Sequence, residues 1–234
     1  MDTLRKSGGR IMPIPGITAS ILLGGGGGAG IIFDDTFTET SNTALESHTP
    51  DTGTGWTRAF ESTAFAAGLH VNGSNDNCEV AGSNASEGTF YTANISGGYS
   101  SANYEVLVTA TDVRINDDYT YIGARATFSG GGGSNVDGYF VEYTTALVDL
   151  YEVSAGVWSL LVTGGLGATD GDALKLVVNG TTIEVWVAGV KEIDTTDSTH
   201  TAANEAGMGA GSFRLGNGDE SGQIFDDFQV NDLG

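Results

Sequence analysis

The stretch DALKLVVNGTTIEVWVAGVKEID, residues 172–194, places apolar side chains at alternate positions on both sides of an Asn-Gly pair. A strand sends successive side chains to opposite faces, so this period of two predicts Leu174, Leu176 and Val178 on one face. Ile183, Val185 and Val187 follow on the next strand. Asn-Gly supplies the two positive-φ residues of a type I′ turn at Asn179-Gly180, and a second reversal is expected at Ala188-Gly189. The three strands make a meander. Lys175, Glu184, Trp186 and Lys191 fall on its other face or edges.

Similar short runs of β-branched and aromatic residues recur from Ile31 onward, separated by Gly, Asn, Asp and Ser clusters. They predict strands near 30–38, 55–61, 68–71, 77–80, 88–95, 104–112, 119–128, 138–144, 148–153 and 158–162. The remaining ones are 173–178, 182–187, 190–193, 206–215 and 223–230. No segment shows a sustained helical period. The expected fold is therefore an all-β antiparallel sandwich, one domain over 30–234.

Residues 1–29 have no such pattern and include a run of five glycines, Gly24 to Gly28. They are expected to form an extended N-terminal arm outside the domain. Ile11, Ile14, Ile17, Ile21, Leu22 and Leu23 would leave much apolar surface in water, which favours an arm that docks on a neighbour. Its basic start followed by an apolar stretch imitates a secretory signal, but Pro13, Pro15 and Gly16 interrupt it and no small-residue cleavage site follows.

Composition sharpens this division. The chain has 234 residues with 37 Gly and only 17% charged residues, as expected of many tight turns. Of its 30 acidic and 9 basic residues, the first 33 positions hold only Asp2, Arg5, Lys6 and Arg10. The whole chain carries −21, and the body beyond residue 33, with 29 acids against 6 bases, carries −23; it would repel phosphate backbones and anionic lipid, so neither nucleic acid nor membrane is expected as a partner. Cys78 alone allows no internal disulfide or cysteine-based zinc site. His48, His70 and His200 lack paired ligand spacing.

The segments IIFDDTFT, DGYFVEY, GVWSLL, VNGTTIEVWVAGVKEID and IFDDFQV resemble the concanavalin A-like, laminin-G-like jelly-roll superfamily over roughly residues 31–232. The resemblance implies adjacent terminal strands, with Phe33-Asp34-Asp35 near Phe225-Asp226-Asp227. With the Gly-rich arm, HTPDTGTGWT and THTAANEAGMGAG, the chain also looks like virion proteins of tailed bacteriophages. That likeness implies a capsid decoration protein on the virion surface, made in the host cytoplasm. Its expected partners are the major capsid protein and further copies of itself, with a trimer as one form.

Three candidate chemistries remain. Superfamily members often bind calcium, and the oxygen-rich set Asp34, Asp35, Asp226 and Asp227 is the leading candidate, with Asn116-Asp117-Asp118 and the Asp170/Asp172 pair as alternatives. No other cofactor is expected. Carbohydrate binding commonly uses an aromatic platform, for which Trp186 is the candidate, alongside Trp56, Trp158, Tyr91, Tyr99, Tyr119 and Tyr121. A host-surface glycan is then the ligand. The β-glucanases of this superfamily carry Glu-x-Asp-x-x-Glu, and Glu192-Ile193-Asp194-Thr195-Thr196-Asp197 departs from it at the last acid. No Gly-x-Ser-x-Gly elbow or phosphate loop is present, so the chain reads as a non-enzyme.

Overall fold

In a computed structural model of the protein, the described residues are 30–61, 68–80, 88–112, 120–129, 135–211 and 224–234. They form two antiparallel β-sheets packed face to face. The strands are β1 (Gly30–Asp35), β2 (Thr43–Ala44), β3 (Gly55–Glu61), β4 (Leu69–Asn72), β5 (Asn77–Val80), β6 (Gly88–Asn94), β7 (Tyr104–Asp112) and β8 (Thr120–Ser129). They continue as β9 (Asn135–Tyr143), β10 (Val148–Ser154), β11 (Val157–Thr163), β12 (Asp172–Asn179), β13 (Thr182–Val187), β14 (Val190–Thr196), β15 (Glu205–Gly211) and β16 (Ile224–Asp232). One turn of 3-10 helix, Leu45–Ser47, follows β2.

The nine-stranded sheet runs β14-β13-β12-β7-β16-β5-β4-β2, with β1 also paired to β16. The seven-stranded sheet runs β11-β10-β9-β8-β15-β6-β3. The terminal strands are neighbours as expected: Asp34 lies opposite Gln229 and Asp35 opposite Phe228. This is the antiparallel two-sheet jelly-roll sandwich, concanavalin A-like, expected from the sequence.

Alternation decides the core. Leu174, Leu176, Val178, Ile183, Val185 and Val187 are all buried between the sheets, where they meet Ile122, Tyr139, Val141 and Met208 from the opposite layer. Phe33, Trp56 and Phe228 close the core beside the terminal strands, with Trp56 edge-on to Phe33 at 4.9 Å and to Phe228 at 4.8 Å between ring centres. Such pairs add to the free energy of area burial, by roughly 0.5–1.5 kcal/mol each.

Two details depart from expectation. At the β12–β13 reversal Asn179 still pairs with Thr182, so the two turn residues are Gly180 and Thr181. Gly180 has φ +57 while neither Asn179 nor Thr181 is left-handed, as in a type II′ turn. The turn with two positive φ values occurs instead at Ala188-Gly189, and again at Ala155-Gly156 between β10 and β11. The second departure is β1, expected to reach residue 38. It stops at Asp35, whose carboxylate accepts the Phe37 backbone N–H at 2.8 Å while Phe37 turns to φ +50.

Candidate binding cleft

The outer face of the seven-stranded sheet, away from its partner layer, is shaped by glycine. On β15, Ala206, Met208 and Ala210 point into the core, so Gly207 and Gly209 face outward. A Cβ on Gly207 would run into the Tyr91 carbonyl and come within 2.7 Å of the Phe90 ring, and one on Gly209 within 2.6 Å of that ring. Gly123 on β8 is hemmed in likewise, with Phe90 at 2.7 Å and Phe140 at 2.9 Å from its would-be Cβ. The glycines thus make the trough in which Phe90 lies. Phe128 stacks on Phe90 at 5.4 Å, Phe140 meets Phe90 edge-on at 5.4 Å, and Trp158 approaches Phe140 at 5.2 Å.

Beside this aromatic cluster a cleft of about 400 Å³ opens. Its walls are Ala93, Asn94 and Ile95 at the end of β6, Gly98 and Tyr99 beyond it, Ala126, Thr127 and Phe128 on β8, and Ala203, Asn204 and Glu205 leading into β15. Three chain segments distant in sequence meet here. A bulge at Arg125, with φ +50, interrupts the alternation of β8.

The fully buried Arg125 side chain anchors the wall. Its Nε donates to the Ala102 carbonyl and its Nη1 to the His200 carbonyl, each at 2.8 Å. Its backbone N–H donates to the Tyr104 hydroxyl, which in turn donates to the Asn204 carbonyl at 2.9 Å. The Tyr99 hydroxyl donates to the Ala93 carbonyl at 3.1 Å, so its ring is fixed as well. Burial raises the Glu205 carboxyl above its ordinary value, opposed by the Thr92 hydroxyl. Asn94 is paired with Thr57, at 2.9 Å from its Nδ2. Among the described residues the Asn204 amide has no intramolecular partner.

Carboxylate, amide, hydroxyl and aromatic groups therefore converge on one concave space, and among the described residues no lysine or arginine lines it. Such a set can accept and donate hydrogen bonds to a polyhydroxylated ligand while a ring covers its apolar face.

The residues expected from sequence stand elsewhere. Trp186 lies on the outer face of the other sheet, half-buried, with the Lys175 ammonium 4.7 Å and the Lys191 ammonium 5.2 Å from its ring centre. Its Nε1 donates to Glu184 at 3.0 Å. Trp56 is in the core, Tyr91 and Tyr121 are buried, and Trp158 belongs to the aromatic cluster; of the expected aromatics among the described residues, Tyr99 alone lines the cleft. Tyr119 and the arm residues Ile11, Ile14, Ile17, Ile21, Leu22 and Leu23 lie outside the described residues.

The four aspartates considered for calcium are divided by the pleat. Asp35 points inward, where its carboxylate accepts Trp56 Nε1 at 2.6 Å and contacts His48 Nε2 at 2.8 Å. Asp34 points outward and accepts Gln229 Nε2 at 3.1 Å. Asp226 and Asp227 sit at a bulge in β16, where Asp227 has φ +50. Burial and Asp227 push the Asp226 carboxyl up to about 6, and burial raises Asp227. Among the described residues no three metal-ligating side chains converge, so these four do not fit a shared calcium ion. Asp172 caps its own turn, accepting from the Thr169 N–H and hydroxyl, and Asn116-Asp117-Asp118 lies outside the described residues.

The Glu192, Asp194 and Asp197 carboxylates diverge too. A bulge in β14 at Glu192 breaks the alternation that would align them. Glu192 accepts the Leu166 N–H, Asp194 pairs with Lys191, and Asp197 accepts the Tyr139 hydroxyl at 2.6 Å. Each histidine meets a carboxylate: His48 has Asp35 and Glu39, His70 has Glu79 at 3.2 Å and His200 has Glu152 at 2.9 Å. Burial raises the Cys78 thiol well above its ordinary value, so it is not poised as a thiolate.

No protein-family model and no curated protein sequence matches the chain. Solved structures do. A protein of unknown function with a galectin-like fold from Bacillus subtilis superimposes at TM-score 0.60 and 9% identity, over 88% of this chain and 97% of that one. The carbohydrate-binding module CBM66 from Bacillus subtilis gives TM-score 0.51 at 14% identity, over 76% and 96%. Domain 4 of AbnA, a GH43 extracellular arabinanase from Geobacillus stearothermophilus solved with arabinotriose, gives 0.52 at 14% identity, over 88% and 93%. At these identities the likeness shows the fold. Neighbours of this fold include lectins and carbohydrate-binding modules, and membership of a virion gains no support from them.

Proposed function

We propose that this chain is a non-catalytic carbohydrate-binding module that holds a neutral glycan in the cleft between β6, β8 and β15. The observation that carries this reading is the convergence of Tyr99, Phe128, Asn94, Thr127, Asn204 and Glu205 around about 400 Å³. The sugar-binding neighbours support it, since CBM66 is named for carbohydrate binding and domain 4 of AbnA was solved with arabinotriose. A neutral ligand follows from charge. An anionic sugar would face Glu205 with no lining cation among the described residues, in a chain of net charge −21.

The test is titration calorimetry against neutral oligosaccharides, arabinotriose among them, after a glycan-array screen. Asn204→Ala is expected to weaken binding by about tenfold, the loss of roughly one hydrogen-bond partner in a desolvated site. Glu205→Gln should do the same and also remove pH dependence. Because burial raises the Glu205 carboxyl, the wild-type affinity should fall as pH drops through that raised value. Binding that is unmoved in both variants would sink the cleft as the site.

A further inference from the structure

The polar groups lining the cleft are unequally available. The Tyr99 hydroxyl donates to the Ala93 carbonyl at 3.1 Å, Asn94 is paired with Thr57 at 2.9 Å, and the Thr127 hydroxyl faces Asp137 at 3.5 Å. Among the described residues this leaves the Asn204 amide, without an intramolecular partner, and the Glu205 carboxylate, stabilised only by the Thr92 hydroxyl. These neighbours in the chain stand where it enters β15. Beside them the lining is apolar: Ile95 is half-buried against the core, Ala203 is exposed, and the Tyr99 and Phe128 rings stand in the same wall.

A sugar ring bearing only hydroxyls needs many hydrogen-bond partners, because each hydroxyl that leaves water unpaired weakens binding. An amide and a carboxylate set against an aliphatic seat match a different substituent. A secondary acetamide carries an N–H, a carbonyl and a methyl group. Its N–H can donate to Glu205, its carbonyl can accept from Asn204 Nδ2, and its methyl group can cover Ile95 and Ala203. We propose that the cleft selects glycans carrying an acetamido group, that is, N-acetylhexosamine units. The inference rests on the cleft being the glycan site and names the sugar it takes.

Desolvation favours this ligand over its relatives. Glu205 is half-buried, and an N–H held by a carboxylate away from water makes a charge-assisted bond, roughly twice as strong as a neutral one. A hydroxyl in place of the acetamide could meet Glu205 or Asn204 but would leave the aliphatic seat uncovered. A free amine would be drawn by the acidic chain, yet it has neither a carbonyl for Asn204 nor a methyl group for Ile95. The acetamide engages all three features and is uncharged.

The experiment is titration calorimetry on the full chain with matched sugars. N,N′-diacetylchitobiose is set against cellobiose and against the free-amine form, chitobiose, and N-acetylgalactosamine against galactose. At least one acetamido sugar is expected to bind about tenfold tighter than its hydroxyl counterpart. Asn204→Asp keeps an acceptor but removes the donor; it should abolish that preference, while the hydroxyl sugar, able to donate to the new carboxylate, keeps its affinity. Ile95→Thr should reduce the preference through the methyl seat, with an unchanged far-UV circular dichroism spectrum in both variants. The proposal is overturned if neither acetamido sugar outbinds its counterpart, if chitobiose binds as tightly as its acetylated form, or if the preference survives both variants. Binding of cellobiose, galactose or arabinotriose without any acetamido preference leaves the cleft a glycan site and removes only this inference; no binding by any of these sugars removes both.

Discussion

On the outer face of the nine-stranded sheet, polar side chains are joined to one another across the strands. Gln229 donates to Asp34, Asn231 to Glu105 and Gln229, Lys175 pairs with Glu105, and Lys191 with Glu184 and Asp194. The outer face of the seven-stranded sheet is built from rings laid over glycines, and next to them is the cleft with its uncommitted Asn204 amide. The same fold has thus closed the chemistry of one face and left the Asn204 amide uncommitted beside the other. A group satisfied within its own sheet has little to offer a ligand, because binding must first break what it already has.

The largest expected effect breaks the second face. Gly207→Val forces a side chain against the Tyr91 carbonyl and the Phe90 ring, neither of which can leave without disturbing β6. We expect a loss of about 3 kcal/mol or more, read as a lower urea midpoint, since overpacking a full core site costs on this order. A tolerated valine would mean that the glycine row is incidental.

A second prediction compares two neighbouring carboxylates on β1. Asp35, buried with Trp56 and His48, should cost about 3 kcal/mol when replaced by Ala, because the Trp56 indole N–H and the Phe37 backbone N–H would lose their acceptor in the interior and His48 one of its two carboxylates. Asp34→Asn, on the outer face, should stay within about 0.5 kcal/mol. The pair has a pH signature. Burial alone would lower the His48 pKa, but hydrogen bonds to Asp35 and Glu39 outweigh it and leave it raised above 6.5. A raised folded value means that the stabilisation is fully present below pH 6.5 and is lost as pH rises through the higher folded value. The gap in melting temperature between wild type and His48→Gln should therefore narrow on the alkaline side; a gap that widens there would refute the assignment.

The contrast between the faces was partly legible in the residues. Alternation in LKLVV and IEVWV placed the meander's core, and the same alternation through Phe33-Asp34-Asp35 already sends Asp35 inward, away from any shared calcium site with Asp34. Glycines at alternate positions in EAGMGAG mark a bare face on β15 in the same way. The turn at Gly180-Thr181 was not legible, because a register one residue longer cannot be told from the Asn-Gly pair alone. β2 is too short to show a period. The cleft was hidden for a different reason: its walls at residues 93–99, 126–128 and 203–205 meet only through sheet order and the bulge at Arg125, neither of which leaves a local pattern.

Trp186 carries a smaller prediction than Gly207 or Asp35 and separates the two faces most cleanly. A tryptophan on the outer face of a sheet is the ordinary sign of a sugar platform, yet here two ammonium groups lie over the half-buried ring and Glu184 holds its indole N–H. Trp186→Ala should remove two cation–π contacts and part of the half-buried ring, a loss of about 1–2 kcal/mol in stability. Glycan affinity should not change, because the cleft lies on the other sheet. Calorimetry on the folded variant decides between the faces. If binding vanishes with Trp186 and survives Asn204→Ala, the closed face is the functional one, and the lysines above the indole are the groups that move aside for the sugar.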